Sequence, residues 1–137
     1  MKGIVLISHG RFAEGIKESL EMLCGECPQV FTVCLAGSDS PDAFSKRFLR
    51  AYEEAEKYGE PLVFCDIMGG TPCNLALQQL MKKEDTSLIS GMNLPMLMTA
   101  VLQDAEKALL LQEGREAITD VLEKAMLSSA DCEVDED

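Results

Sequence analysis

Apolar and polar positions follow two rhythms along this chain. Short apolar runs alternate with stripes of apolar residues spaced by three and four. Gly3–Ser8 is a uniformly apolar run, the pattern of a strand covered on both faces. Phe12, Ile16, Leu20 and Leu23 follow at helical spacing, with Glu14, Lys17, Glu18 and Glu21 between them. Val30–Leu35 predicts a second strand. Ser40-Pro41 predicts a helix start, a capping hydroxyl before a proline at the first helical position, and Phe44, Phe48, Tyr52 and Ala55 continue one face until Gly59. Pro61–Asp66 predicts a third strand, Gly69-Gly70 a tight turn, and Thr71-Pro72 a helix carried by Leu75 through Met81. Ser87–Met92 predicts a fourth strand, and Asn93-Leu94-Pro95 opens a helix on Leu97, Met98, Val101 and Leu102. Lys107–Gln112 is expected as a fifth strand. Ile118, Val121, Leu122 and Ala125 form a last helical stripe, expected, like Phe44–Ala55, to lie in the core.

Strand signals that each precede a helix signal imply an α/β fold with a mainly parallel sheet and right-handed crossovers. The chain shows no internal repeat and no linker-like segment. One domain is expected over residues 1–127, followed by an acidic tail, residues 128–137, with five acids and no base. That composition reads as frayed and solvated. The full length of 137 residues suits one core rather than two.

Composition narrows the classes further. Hydrophobic residues make up 47% and charged residues 26%, as in a globular protein. No apolar run approaches the roughly 18 residues of a membrane span. The start, MKGIVLISHG, has neither the long apolar core nor the cleavage site of a secretory signal. Twelve Lys+Arg against 24 Asp+Glu give −12, of which −7 remains on residues 1–130, and this excludes a typical nucleic-acid binder. The six cysteines, at 24, 27, 34, 65, 73 and 132, are expected as free thiols in a reducing cytoplasm, with Cys34 and Cys65 acting as small hydrophobes.

In an open α/β sheet, ligands bind beyond the carboxyl ends of the strands where strand order reverses. His9-Gly10, Asp66 with Gly69-Gly70-Thr71-Pro72, and Asn93 with Pro95 all follow strands and reach that edge. If the first and third strands are neighbours, His9 and Asp66 face each other. His9 is the only histidine, so a metal shell of three or four ligands is disfavoured. No G-x-S-x-G elbow is present. A histidine nucleophile remains: one bare ring nitrogen, with a carboxylate such as Asp66 holding the other ring N–H. Glycines, a helix N-terminus and the Thr71 hydroxyl would then cradle an anion. The sum is a phosphoryl group carried on His9, with no metal or cofactor required. Each segment also has a plain structural reading: a lone histidine after a strand, a strand-to-helix turn, a helix start at Asn93. Met68, Met92, Met96 and Met98 read as core or rim filler.

The segments Ile4-Val5-Leu6-Ile7-Ser8-His9-Gly10 with Ala13-Glu14-Gly15, Asp66-Ile67-Met68-Gly69-Gly70-Thr71-Pro72 with Asn74, Ser90-Gly91-Met92-Asn93-Leu94-Pro95-Met96-Leu97 and Gly114-Arg115-Glu116 carry a family resemblance in order and spacing. Over residues 1–127 the chain resembles the IIA component (EIIA) of the mannose-family sugar phosphotransferase system (PTS). The resemblance implies a doubly wound sheet with helices on both faces and a fifth, antiparallel strand exchanged across a homodimer. It implies phosphorylation of His9 through Nε2 by the phosphocarrier protein HPr, orientation of His9 by Asp66, and delivery to an EIIB component that serves the membrane components EIIC and EIID. Gly10, Gly69, Gly70 and Thr71 would receive the phosphate, and Met68, Asn93 and Pro95 would line the pocket. Some family members carry Trp where this chain has Met68, which changes a rim contact. With no fused IIB segment in view, EIIB is expected as a separate chain.

Two other classes stay open at this stage. The same phosphohistidine is also consistent with a regulatory module whose state is read by a partner. Cys24-Gly25-Glu26-Cys27 has the spacing of a redox pair, but it falls at the end of a helix, where the dipole raises rather than lowers a thiol pKa.

Overall fold

Ile4, Val5, Leu6 and Ile7 are completely buried, because their strand is paired on both edges and covered on both faces. This arrangement comes from a computed structural model that describes residues 1–136, with side chains through residue 129. The strands are β1 (Ile4–His9), β2 (Val30–Leu35), β3 (Leu62–Cys65) and β4 (Ser87–Ile89). They form a sheet of order β2-β1-β3-β4, and every pairing is parallel. The register sets Ile4 beside both Val30 and Leu62, and Leu62 beside Ser87.

Side chains of β1 alternate between two cores. Ile4 and Leu6 join the face covered by α1 (Phe12–Cys24), α4 (Leu94–Leu102) and α5 (Lys107–Glu116). Val5 and Ile7 join the face covered by α2 (Pro41–Glu56) and α3 (Thr71–Leu80). The chain crosses from β1 to β2 over one face, then from β2 past β1 to β3 and on to β4 over the other. Reversing direction and face together keeps one crossover hand, as twisted parallel sheets require. The reversal lies between β1 and β3, so their carboxyl ends form the crevice of the fold.

Most sequence expectations hold in this frame. The Ser40 hydroxyl accepts the Ala43 N–H at 3.1 Å ahead of Pro41, and Phe44, Phe48, Tyr52 and Ala55 are buried beneath α2. Gly3 lies against the Ala55 carbonyl so closely that no side chain fits there. Met92 and Met96 are core residues, and Met68 lies on the surface.

Two expectations fail. Lys107–Gln112 is not a strand but the start of α5. The run Ala108-Leu109-Leu110-Leu111 is apolar enough for a strand but holds no β-branched or aromatic residue, and alanine, leucine, glutamine and glutamate favour a helix. Only Leu110 of that run is fully buried. Among the described residues the sheet therefore has four strands, all parallel, with no antiparallel fifth. The last apolar stripe also leaves the core. Ile118 and Leu122 are 81% and 72% exposed, and Val121, Met126 and Leu127 are exposed beside them. Helical spacing identified the element, α6 (Val121–Glu136), but among the described residues no neighbour covers its apolar face. α6 continues across residue 127, and the acidic side chains that follow residue 129 lie outside the described residues.

Candidate active site

His9 is the last residue of β1, and Asp66 follows β3 directly. Since these strands are neighbours, the two side chains meet across the crevice. Asp66 Oδ2 lies 2.8 Å from His9 Nδ1 and also accepts the His9 backbone N–H at 2.9 Å. Asp66 Oδ1 accepts the Ile67 N–H at 2.9 Å. Burial acts to raise the Asp66 pKa, but the hydrogen bonds from His9 and Ile67 outweigh it and hold the carboxyl below its usual range. An ionised carboxylate has no proton to donate, so the proton of this pair sits on Nδ1, and in the neutral ring Nε2 is then the bare lone pair. His9 keeps 48% of its side chain exposed while Asp66 keeps 16%: the imidazole is open and its partner is sheltered.

The Gly69-Gly70 turn completes this arrangement. Gly69 has φ +86°, which few other residues adopt. Gly70 is the N-cap of α3, and a Cβ there would stand 2.5 Å from His9 Cε1 and 3.0 Å from Nε2. The bare nitrogen thus rests over a glycine at a helix N-terminus. Pro72 in the first turn has no N–H, while the amides of Thr71 and Cys73 precede the helix ladder and have no partner within it. Thr71 is exposed. Asn74 braces the turn, its side chain donating to the Gly69 carbonyl at 3.2 Å. Gly10, with φ +53°, turns the chain after His9 and donates to the Leu35 carbonyl at 2.8 Å. An anionic group placed at Nε2 would meet amides and a positive helix end here.

The rim is apolar: Phe12 is 50% exposed, Ile67 58% and Met68 80%. Asn93 is placed differently from the expected wall. Its Oδ1 caps α4 by accepting the Met96 N–H at 3.1 Å, and its Nδ2 donates to the Gly114 carbonyl at 3.0 Å, so both ends are engaged away from His9. The β4–α4 connection, with the half-buried Pro95, is tied to the site edge through Met92 N–H and Cys65 O at 3.1 Å.

Sequence reasoning missed two residues that shape this edge. Asn74 was visible only as part of a family motif. Ser8 was read as the end of an apolar strand, yet its buried hydroxyl bridges the turn after His9. A serine inside an otherwise aliphatic run was the available signal.

Cys27 of the cysteine pair is not an activated thiol. Cys27 is buried, its Sγ lies 3.2 Å from the Gly25 carbonyl, and burial with the negative charges of Glu21 and Cys24 raises its pKa. Among the described residues, no three His, Cys, Asp or Glu side chains gather closely enough to hold a metal ion. No helix among them is long and apolar enough to cross a membrane.

Residues 3–119 match the EIIA-man family, described as the PTS system fructose IIA component. The chain is 30% identical over 95 residues to the sorbose-specific EIIA component of the PTS of Lacticaseibacillus casei, covering 69% of this chain and 68% of that one. The structure of a mannose/sorbose-specific IIA subunit from Enterococcus faecalis superposes with a TM-score of 0.74 at 31% identity, covering 88% of this chain and 95% of that one. A PTS IIA protein associated with the fucose utilization operon of Streptococcus pneumoniae gives a TM-score of 0.84 at 25% identity, covering 90% and 95%. The chain therefore belongs to the EIIA-man family, the IIA components of the sugar phosphotransferase system.

Proposed function

We propose that His9 of this IIA component carries a phosphoryl group between HPr and an EIIB component during sugar uptake. The observation that supports this most directly is the His9–Asp66 contact at 2.8 Å, which leaves Nε2 bare, exposed and seated over Gly70.

In the forward step the Nε2 lone pair attacks the phosphorus of phospho-HPr in line. A P–Nε2 bond forms as the bond from phosphorus to the donor histidine breaks, and the donor nitrogen leaves with its electron pair. The His9 ring becomes cationic, with the Nδ1 proton still held against the Asp66 carboxylate, which offsets that charge. The phosphoryl oxygens meet the amides at the start of α3, the Thr71 hydroxyl and the Gly10 turn. Most of the catalysis is positioning and charge stabilisation. The second step repeats this chemistry with a nucleophile of EIIB, and breaks the P–Nε2 bond. No metal or cofactor enters either step.

Phe12, Ile67 and Met68 around a half-exposed histidine suit two partners that dock in turn on one apolar rim. EIIB serves the membrane components EIIC and EIID, where the group passes to the incoming sugar, and the IIA protein acts in the cytoplasm. The exposed stripe Ile118, Val121, Leu122, Met126 and Leu127 is the surface we assign to a homodimer.

The test is a relay. Protein charged by phosphoenolpyruvate, enzyme I and HPr is freed of donor and mixed with EIIB components. Loss of phosphate from this chain with matching gain on an EIIB supports the transport reading. Charging without onward transfer to any EIIB contradicts it and favours a regulatory phosphohistidine.

A further inference from the structure

The residue just before His9 in β1 carries a hydroxyl with no exposure at all. Ser8 is fully buried, beside strand residues that are otherwise aliphatic. Its Oγ accepts the Ala13 N–H at 2.8 Å and lies 3.1 Å from the Gly10 carbonyl, to which it donates. The looser 3.9 Å approach to Cys34 Sγ does not compete for the proton. The residue at the N-cap of α1, Arg11, supplies no side-chain cap. Ser8 supplies that cap from three residues back, and in doing so spans the turn that carries His9.

The consequence for His9 follows from peptide geometry. Gly10 sits in the left-handed region with its N–H bonded to the Leu35 carbonyl. Its carbonyl is drawn inward by Ser8. In a planar trans peptide the N–H points opposite to the C=O, so the Arg11 N–H faces away from the core. His9 is therefore held from two directions. Asp66 fixes its backbone N–H and its ring, and Ser8 fixes the carbonyl of the residue after it. Without the hydroxyl, the Gly10 carbonyl loses the hydrogen bond that draws it inward, and the turn after His9 is held only by its neighbours, the Gly10 N–H on Leu35 O and the Gly15 N–H on Arg11 O.

We infer that Ser8 is a positioning residue for phosphoryl transfer at His9, acting through the Gly10 carbonyl rather than by touching the phosphate. This rests on the His9 reading above.

Single-turnover charging by phospho-HPr, with kcat the rate at saturating donor and KM the donor concentration giving half of it, tests it in Ser8→Ala, Ser8→Thr and Ser40→Ala, each at a temperature well below its Tm. Ser8→Ala is expected to lower kcat about tenfold with KM for the donor within about twofold, as for loss of one orienting hydrogen bond. Ser8→Thr keeps the hydroxyl and is expected to restore kcat to within about threefold. Ser40→Ala removes a helix cap on α2, which a merely structural role would equal, and is expected to lower Tm with kcat unchanged. If Ser8→Ala does not fold, Ser8→Cys replaces it, with a deficit expected between those of Ala and Thr. A wild-type kcat in the folded Ala or Cys variant overturns the inference alone, as does a deficit that Ser8→Thr shares. Failure of the unaltered protein to take phosphate overturns the His9 reading, and the inference falls with it.

Discussion

One oxygen of Asp66 holds His9 twice, at the ring Nδ1 (2.8 Å) and at the backbone N–H (2.9 Å). The double contact fixes both the tautomer and the tilt of the ring, so the two roles can be separated by mutation. Asp66→Asn keeps the shape but offers an amide. Phosphoryl uptake by His9 is expected to fall by about 10²- to 10⁴-fold, as for other carboxylates that set a histidine tautomer. Charging kinetics with phospho-HPr measure it, and the nitrogen NMR signals of the ring report the tautomer change directly.

The same contact makes stability depend on pH. A carboxyl whose pKa is lower folded than unfolded binds protons more readily unfolded, so it stabilises the fold above the unfolded value, about 3.9 for Asp. Asp66 is held below its usual range, so its contribution is intact at neutral pH and declines as pH falls below about 4. Urea titrations of the wild type and Asp66→Asn are expected to show a gap that is constant from neutral pH to mildly acidic pH and narrows below that. A gap that widens on acidification contradicts the assignment.

Gly70 separates activity from folding. Its φ of −82° suits any residue, so Gly70→Ala carries little backbone strain. The added Cβ meets the His9 ring instead. The variant is expected to melt within a few degrees of the wild type yet charge at least about tenfold more slowly, since misplaced reacting groups are costly. A calorimetric scan and a charging assay on one preparation decide it.

Leu110 and Ile118 test the two places where the chain departs from its pattern. Leu110→Ala, in the buried face of α5, is expected to cost about 2–5 kcal/mol. Ile118→Ala, 81% exposed, is expected to change monomer stability by no more than about 0.5 kcal/mol. Its effect should appear in sedimentation as weaker self-association.

The thiols are expected to react in order of access. Cys65 is buried and its pKa is pushed up to about 12 by burial and its contact with Cys73. Among the thiols of the described side chains, alkylation under native conditions should reach Cys24 and Cys34 first and leave Cys27, Cys65 and Cys73 until the protein unfolds, as peptide mapping would show.

How much of this was legible in the residues follows from which physical signals are local. His9 and Asp66 end apolar runs, and a parallel sheet must bring strand ends to one edge, so their meeting needed only that β1 and β3 be neighbours, a condition the sequence left open and the sheet meets. Periodicity placed α2 because its cap, proline and buried face agree. It failed at Lys107–Gln112, where a short leucine run fits a strand or a buried helix equally, and packing against α4 decides. The stripe of α6 was read correctly as apolar, but apolar spacing does not say whether the covering surface belongs to the same chain. Asn93 was placed at the right edge, while the direction of its side chain depended on Gly114 lying near, a contact with no local trace. Ser8 was lost for the same reason: its partners Gly10 and Ala13 define a role only once the turn exists.

The central claim is that His9 carries the phosphoryl group, and intact mass tests it most directly. The native chain and His9→Ala are incubated with phosphoenolpyruvate, enzyme I and HPr, and each is weighed before and after mild acid. One added phosphoryl group on the native chain, lost in acid and absent from His9→Ala, is the predicted result. No added mass on the native chain, while the same components charge another IIA protein, would contradict it.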